Sequence, residues 1–286
     1  MINPELTLTY EPLQSPKYSV QSLYIVCKNH DGCFQSPSIE NTATDACTRL
    51  TLGMKLIQNL YCDKLMEQGF GRKTFQLNGE CVPFYSQLPV DDAKTMDENS
   101  LWNYFAREVI ATEVNALENK KFVAFIGCTE YRGIVDGNYS HENLKLKTVA
   151  NAALGGGDFA LFGTGCLYAW PKSVSETMKC FESTDPVDLE HFLDDSNSRR
   201  TFGGCFATTL GSVCHEVGHI FDLGHSRNGI MGSGFDFVDR VFTVCNRTQD
   251  LPHRSSEPVK EQLPTDPRLT KLKSTNKFLN LFHSQK

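Results

Sequence analysis

The segment "HEVGHIFDLGH", residues 215–225, holds three of the chain's 8 histidines and a glutamate, and its reading decides the fold. Upstream, Phe206, Leu210, Val213, Cys214 and Val217 recur at helical spacing and mark the core-facing stripe of a helix expected over roughly 201–223. His215 and His219 stand four apart on it, so both imidazoles project from one side, within reach of a single ion. Glu216 lies about 100° around the helix from His215, beside such an ion and not on it, which suits a base acting on metal-bound water. A catalytic zinc takes three protein ligands and keeps one position for water. His225 is the third candidate: it reaches the same ion only if the chain turns first, and Gly224 permits that turn. "GIMGSG", residues 229–234, then sets Met231 in a glycine-flanked tight turn.

A chance H-E-x-x-H is expected about once in a hundred such chains. Three rival readings stay open at this point. The third ligand could be acidic and come from downstream, with Asp236 and Asp239 as candidates and Glu257 and Glu261 further off, although Asp236 reads more simply as the N-cap of a short helix "FVDRVF". The zinc could be structural, in a non-catalytic interaction protein; such sites are normally closed by four ligands and have no use for a carboxylate beside an open position. The enzyme could instead be an exopeptidase.

Residues 208–236, "TTLGSVCHEVGHIFDLGHSRNGIMGSGFD", resemble the metzincin clan of zinc metalloproteases, whose signature is H-E-x-x-H-x-x-G-x-x-H followed by a Met-turn. They are more closely similar to a group of eukaryotic intracellular zinc metalloproteases. The resemblance covers about a tenth of the chain. It implies His215, His219 and His225 as ligands of one catalytic zinc ion, Glu216 as general base and acid, Met231 as the floor beneath the metal, and a peptide or protein as substrate. It also places a substrate-binding edge strand before the active-site helix, at "GTGCLYAWP" (163–171), with Gly165, Cys166, Leu167 and Tyr168 facing the substrate; an ordinary internal strand is the other reading of that segment. The departure is Asp222, where the clan has a glycine that ends the helix. Asp is among the few other residues that visit positive φ at modest cost, so either Asp222 adopts it or the helix runs on to Gly224.

The rest of the chain bounds these readings. With 286 residues, 40% hydrophobic and 22% charged, it buries a sizeable core. A net charge of −6 offers no basic face for nucleic acid or an anionic membrane, so neither is an expected partner. The opening "MINPELTLTYEPLQSPKYSV" lacks a basic lead and an apolar core, and no later run approaches a membrane span, which makes a cytoplasmic address the expectation. The 11 cysteines include no C-x-x-C pair and are expected to be reduced, mostly buried thiols. The sequons at Asn138 and Asn246 carry no meaning without secretion, and His191 reads as a surface residue.

Strands are expected at Leu6 to Tyr10, Val20 to Cys27, "KTFQL" and "ECVPFY" (73–85) and Lys121 to Cys128, with helices over Asn41 to Met66, closed by Gly69, and Leu101 to Leu117, capped by Ser100. The glycine-rich "ANAALGGGDFALFG" matches a dinucleotide fingerprint only on paper, since a strand-like run and no helix follows; it reads as a turn plus strand. No P-loop or G-x-S-x-G elbow is present. These elements sum to an α+β, metzincin-like fold: a twisted mixed β-sheet with packed helices, an active-site helix and a small C-terminal subdomain. The domain would span 1–245, divided near 224 and 225, with the Pro-containing basic tail 246–286 behind it.

Overall fold

The computed structural model describes residues 18–112, 119–134 and 137–243, arranged around a six-stranded mixed sheet. The first strand, β1 (Ser19–Lys28), is almost wholly buried, and it is followed by the long helix α1 (Ala43–Glu67). Thr42 and Asp45 form a capping box at the start of α1, and the chain leaves it through Gly69, at φ 80°. Two further strands, β2 (Gln76–Leu77) and β3 (Val82–Pro89), pair one after the other along the same edge of β1. The expected strand Leu6 to Tyr10 and the tail 246–286 lie outside the described residues.

The polar stretch after β3 folds into a single turn, α2 (Val90–Ala93), and the next helix, α3 (Glu98–Thr112), begins earlier than expected. Asp97 caps it in place of Ser100: its carboxylate accepts the Ser100 N–H at 2.7 Å, which puts Ser100 inside the first turn. An ionised acceptor one turn upstream holds that N–H more strongly than a hydroxyl could. Strand β4 (Lys120–Ile126) then runs through the middle of the sheet. A small excursion follows, in which β5 (Glu130–Tyr131) and β6 (Thr148–Val149) pair across the helix α4 (His141–Leu146).

The glycine-rich segment is a hairpin, β7 (Ala153–Gly156) and β8 (Phe159–Gly163), and no helix follows it, as expected for a turn plus strand. The sheet order is β2-β1-β4-β8-β7, with β3 also on β1. All pairs are parallel except β7 with β8. Helices α5 (Val174–Phe181), α6 (Phe202–Ile220) and α7 (Asp239–Phe242) follow within the described residues. The expected mixed sheet with packed helices is thus the observed architecture.

Alternation along the strands divides the core. Tyr24, Val26, Val123, Phe125, Ala160 and Phe162 pack with Leu50, Met54 and Ile57 of α1 and Leu210, Val213 and Val217 of α6. Leu23, Ile25, Phe122, Ala124, Ile126 and Leu161 face the opposite way, onto Leu101, Phe105 and Val109 of α3. Coverage of both faces explains why β1 and β4 read as continuous apolar runs. Helix α6 is buried nearly all round, and its glycines admit close neighbours. A Cβ at Gly211 would strike the Phe235 carbonyl, and one at Gly218 the Met231 thioether. These two positions, seven apart, seat the segment after His225 against the helix. Among the described residues no helix is long and apolar enough to cross a membrane.

Candidate metal centre

The site is built from the end of α6. Thr201 starts the helix, its hydroxyl accepting the Gly204 N–H at 3.1 Å. At the other end Phe221 is the last residue of the cap, and Asp222 takes φ 60°, one of the two outcomes expected for it. Asp222 N–H donates to His219 O and Leu223 N–H to Gly218 O, each at 3.0 Å, which is the Schellman pattern usually built on glycine. This turn reverses the chain and brings His225 back over the helix.

Three imidazoles converge as a result. His219 Nε2 lies 3.0 Å from His215 Nε2 and 3.2 Å from His225 Nε2. Among the described residues these three are the group whose ligand atoms lie within 4.8 Å of one another. The opposite ring nitrogens fix the tautomers of two of them. His215 Nδ1 contacts the Ile230 carbonyl at 2.6 Å and His219 Nδ1 the Leu223 carbonyl at 2.8 Å. A carbonyl only accepts, so each Nδ1 carries the proton and each Nε2 presents a lone pair. Burial lowers the pKa of His215 to about 4, against the pull of the Ile230 carbonyl and helped by the two neighbouring imidazoles. Burial lowers His219 as well. Neutral imidazoles with lone pairs aimed at one point fit a divalent cation of zinc's ligand preference.

Met231 is buried at the foot of this cluster, with its thioether over Gly218, between the two helical histidines in sequence. The Ser226 N–H donates to the Met231 carbonyl at 2.8 Å, closing the turn that delivers the Ile230 carbonyl to His215. Neither Asp236 nor Asp239 belongs to this group of ligand atoms. Asp239 lies 3.5 Å from Arg199 Nη1, and Arg199 Nη2 donates to the Asp236 backbone carbonyl at 2.6 Å. Val238, not Asp236, precedes α7, and Glu257 and Glu261 lie outside the described residues. His191 is exposed and 2.9 Å from Asp188, as a surface histidine should be.

Glu216 projects beside the histidines into the space under β7. Burial raises its pKa to about 7, a backbone hydrogen bond from Gly155 opposes the shift, and the charge of Glu98 adds to it. Gly155 has no room for a side chain, since a Cβ there would fall 2.6 Å from the Glu216 carbonyl oxygen. Sequence reasoning missed both Gly155 and Glu98. The run of three glycines after a short apolar stretch was the available signal for Gly155.

The expected substrate strand is corrected by the structure. β8 ends at Gly163, and Leu167–Ala169 form a 3-10 turn in which Cys166, Leu167 and Tyr168 are buried. Gly165 sits against Leu193, Cys166 Sγ bonds the Leu193 carbonyl, and the Tyr168 hydroxyl donates to the same carbonyl at 2.8 Å, so these groups are spent inside the core. The terminal strand beside α6 is β7. Gly165, Cys166 and Leu167 do line a cavity of about 70 Å³ that also touches Ala153, Thr209 and Ser212, on the α6 face that carries Glu216. Of the 10 described cysteines all are free, and six are buried.

Comparison with known proteins agrees with this chemistry. A family model, "Putative peptidase family", matches residues 2–282. A "putative zinc metalloproteinase" of Saccharomyces cerevisiae is 33% identical over 272 residues, which cover 82% of this chain and 37% of that protein. One of Schizosaccharomyces pombe, of the same description, is 22% identical over 274 residues, covering 85% of this chain and 42% of that protein. The chain therefore spans about two-fifths of the length of these relatives. Among solved structures, wild-type OgpA from Akkermansia muciniphila aligns with a TM-score of 0.47 and 15% identity, over 82% of this chain and 59% of its own. A catalytically inactive form of OgpA has been crystallised with an O-glycopeptide, glycodrosocin, as substrate.

Proposed function

The chain belongs to the family described as "Putative peptidase family", and from that premise we propose that it is a zinc metallopeptidase of metzincin type in which His215, His219 and His225 hold one zinc ion. The observation that carries this reading is the convergence of three Nε2 atoms, two of them with their Nδ1 protons tied to backbone carbonyls. Zinc held on three imidazoles supplies a Lewis acid that acidifies water and polarises a carbonyl.

Glu216 is the proton carrier. Its carboxylate stands next to the ligand histidines and against the Gly155 backbone, where it can take a proton from water during attack and return it to the leaving amine. Gly155 holds the carboxylate in place through its N–H. Met231 packs under the ligands and fixes the turn that orients His215. A peptide substrate would lie extended along β7, and the cavity next to Thr209 and Ser212 would take one of its side chains. A cytoplasmic address and a division of the domain near His225 belong to the same proposal.

Replacing Glu216 by Gln tests it. The zinc-loaded wild type should cleave a fluorogenic peptide library, and the Glu216→Gln protein should lose roughly 10²–10⁴-fold in rate while keeping one zinc per chain. Cleavage at the wild-type rate by the variant would remove Glu216 from the mechanism. No cleavage by the wild type above the variant would favour a zinc-stabilised interaction protein.

A further inference from the structure

Ala153 and Gly155 turn their backbone N–H and C=O groups outward from β7. The register fixes this, because the Gly163 N–H donates to the Ala152 carbonyl at 2.8 Å and hydrogen-bonded pairs alternate along an antiparallel ladder. Leu154 and Gly156 therefore bond to β8, while 153 and 155 face away from it. Both outward N–H groups already meet carboxylates. Gly155 lies against Glu216, which comes from α6 on one face of the sheet: a Cβ at Gly155 would fall 3.0 Å from Glu216 Oε2. The Ala153 N–H donates at 2.7 Å to Glu98 Oε1, which reaches round the edge from α3 on the other face. Lys145 Nζ, 3.2 Å from Glu98 Oε2, holds that carboxylate from the solvent side. Trp102 Nε1 donates to the Phe159 carbonyl at 3.2 Å and pins α3 over the hairpin.

A peptide that adds to this edge as a strand needs the same N–H groups for its own carbonyls. We propose that Glu98 is a specificity-determining residue: its carboxylate occupies the Ala153 donor in place of a substrate carbonyl, so peptides that reach Ala153 must displace it and peptides that stop short need not. This rests on the peptidase reading given above. Residues 153 and 155 are about 7 Å apart on a strand rising ~3.4 Å per residue, so the penalty falls about two peptide residues from the place where Glu216 acts. A hydrogen bond to a carboxylate is stronger than the neutral one that would replace it, and the exchange is therefore uphill for the longer peptide. The substrate class favoured is short peptides, or chain ends that stop within about two residues of the scissile bond on that side.

The test is steady-state kinetics on zinc-loaded wild type, Glu98→Ala and Glu98→Gln, with fluorogenic peptides lengthened one residue at a time at each end. Equilibrium binding of the same peptides to the Glu216→Gln protein, with and without Glu98→Ala, runs beside it. Glu98→Ala should lower KM and Kd about three- to tenfold for peptides long enough to reach Ala153, and leave the Kd of shorter peptides unchanged. Glu98→Gln keeps an acceptor without the charge and should fall between, and it serves alone if the alanine protein does not fold. The end at which the effect appears gives the direction in which the peptide lies. An unchanged or raised KM and Kd for long peptides would overturn the assignment, as would a change in Kd of the same size at every peptide length, the mark of a mere tether between α3 and β7. If the wild type cleaves nothing while the length-dependent gain in binding is present, the peptidase reading fails and the role of Glu98 stands.

Discussion

Helices α1 and α6 end in the same way with different residues. After α1, Gly69 N–H donates to Met66 O at 2.9 Å and Phe70 N–H to Leu65 O at 3.0 Å; after α6, Asp222 and Leu223 repeat both bonds. Gly69 has φ 80° and Asp222 φ 60°. The first turn only reverses the chain, and nothing lies within 4 Å of where a Gly69 side chain would be. The second also sets the Leu223 carbonyl on His219 Nδ1 and brings His225 to the other imidazoles. A backbone motif worth a modest amount of stability in one place thus becomes, in the other, the part that assembles a metal site.

The largest break in the comparison is to remove what only the second turn delivers. His225→Ala should cost at least about 100-fold in zinc affinity, beyond the 10–100-fold typical of residues that merely orient a ligand, and metal titration reads it directly. Undiminished zinc would discard His225 as the third ligand. Next, Asp222→Val puts a β-branched residue at positive φ. It should lose roughly tenfold in zinc affinity as the Leu223 carbonyl and His225 shift, along with about 1–2 kcal/mol of stability. Gly69→Val should show a similar loss in thermal unfolding with zinc affinity intact. Equal effects of the two substitutions on zinc would erase the distinction drawn between the turns.

The beginnings of the two helices differ as well, and pH separates them. Asp45, in the cap of α1, bonds Lys172 and Thr42, and these hold its pKa down at about 2 from an ordinary value of 3.8. A depressed carboxyl stabilises the fold fully above its unfolded pKa, and the contribution is lost as pH falls through 3.8 towards about 2. Asp45→Asn should therefore lower the unfolding temperature at neutral pH, with a difference that shrinks below pH 3.8 and disappears only below about pH 2. The Thr201 cap of α6 has no titrating group of its own, so Thr201→Ala should lower stability by about 1 kcal/mol to the same extent at both ends of that pH range.

The parts of the fold that were legible in the sequence are those whose signal is local and periodic. Leu50, Met54 and Ile57 announce α1, and the buried run of β4 announces a central strand, because burial on one stripe or on both faces leaves a pattern in the chain itself. The three histidines were legible because spacing on a helix fixes direction. β7 was not, since "ALGG" alternates nothing, and "GTGCLYAWP" imitated a strand because it is apolar for another reason: it fills the core beside Leu193. Glu98 was invisible for a third reason. Its role depends on α3 crossing the far face of the sheet so that a side chain 55 residues away meets one backbone N–H.

The finest test of the comparison makes the two turns chemically alike. Asp222 is exposed, and the one property the turn demands of it is positive φ, which costs an aspartate less than a branched residue and a glycine almost nothing. Asp222→Gly relieves that strain but also gives the unfolded chain more freedom, and the two effects oppose each other. The expected outcome is a stability change within about 0.5 kcal/mol, a shift of no more than about 2 °C in Tm, and unaltered zinc affinity. A tenfold drop in zinc affinity for Asp222→Gly would mean that the carboxylate acts on the metal site itself. The resemblance between the ends of α1 and α6 would then be one of backbone alone.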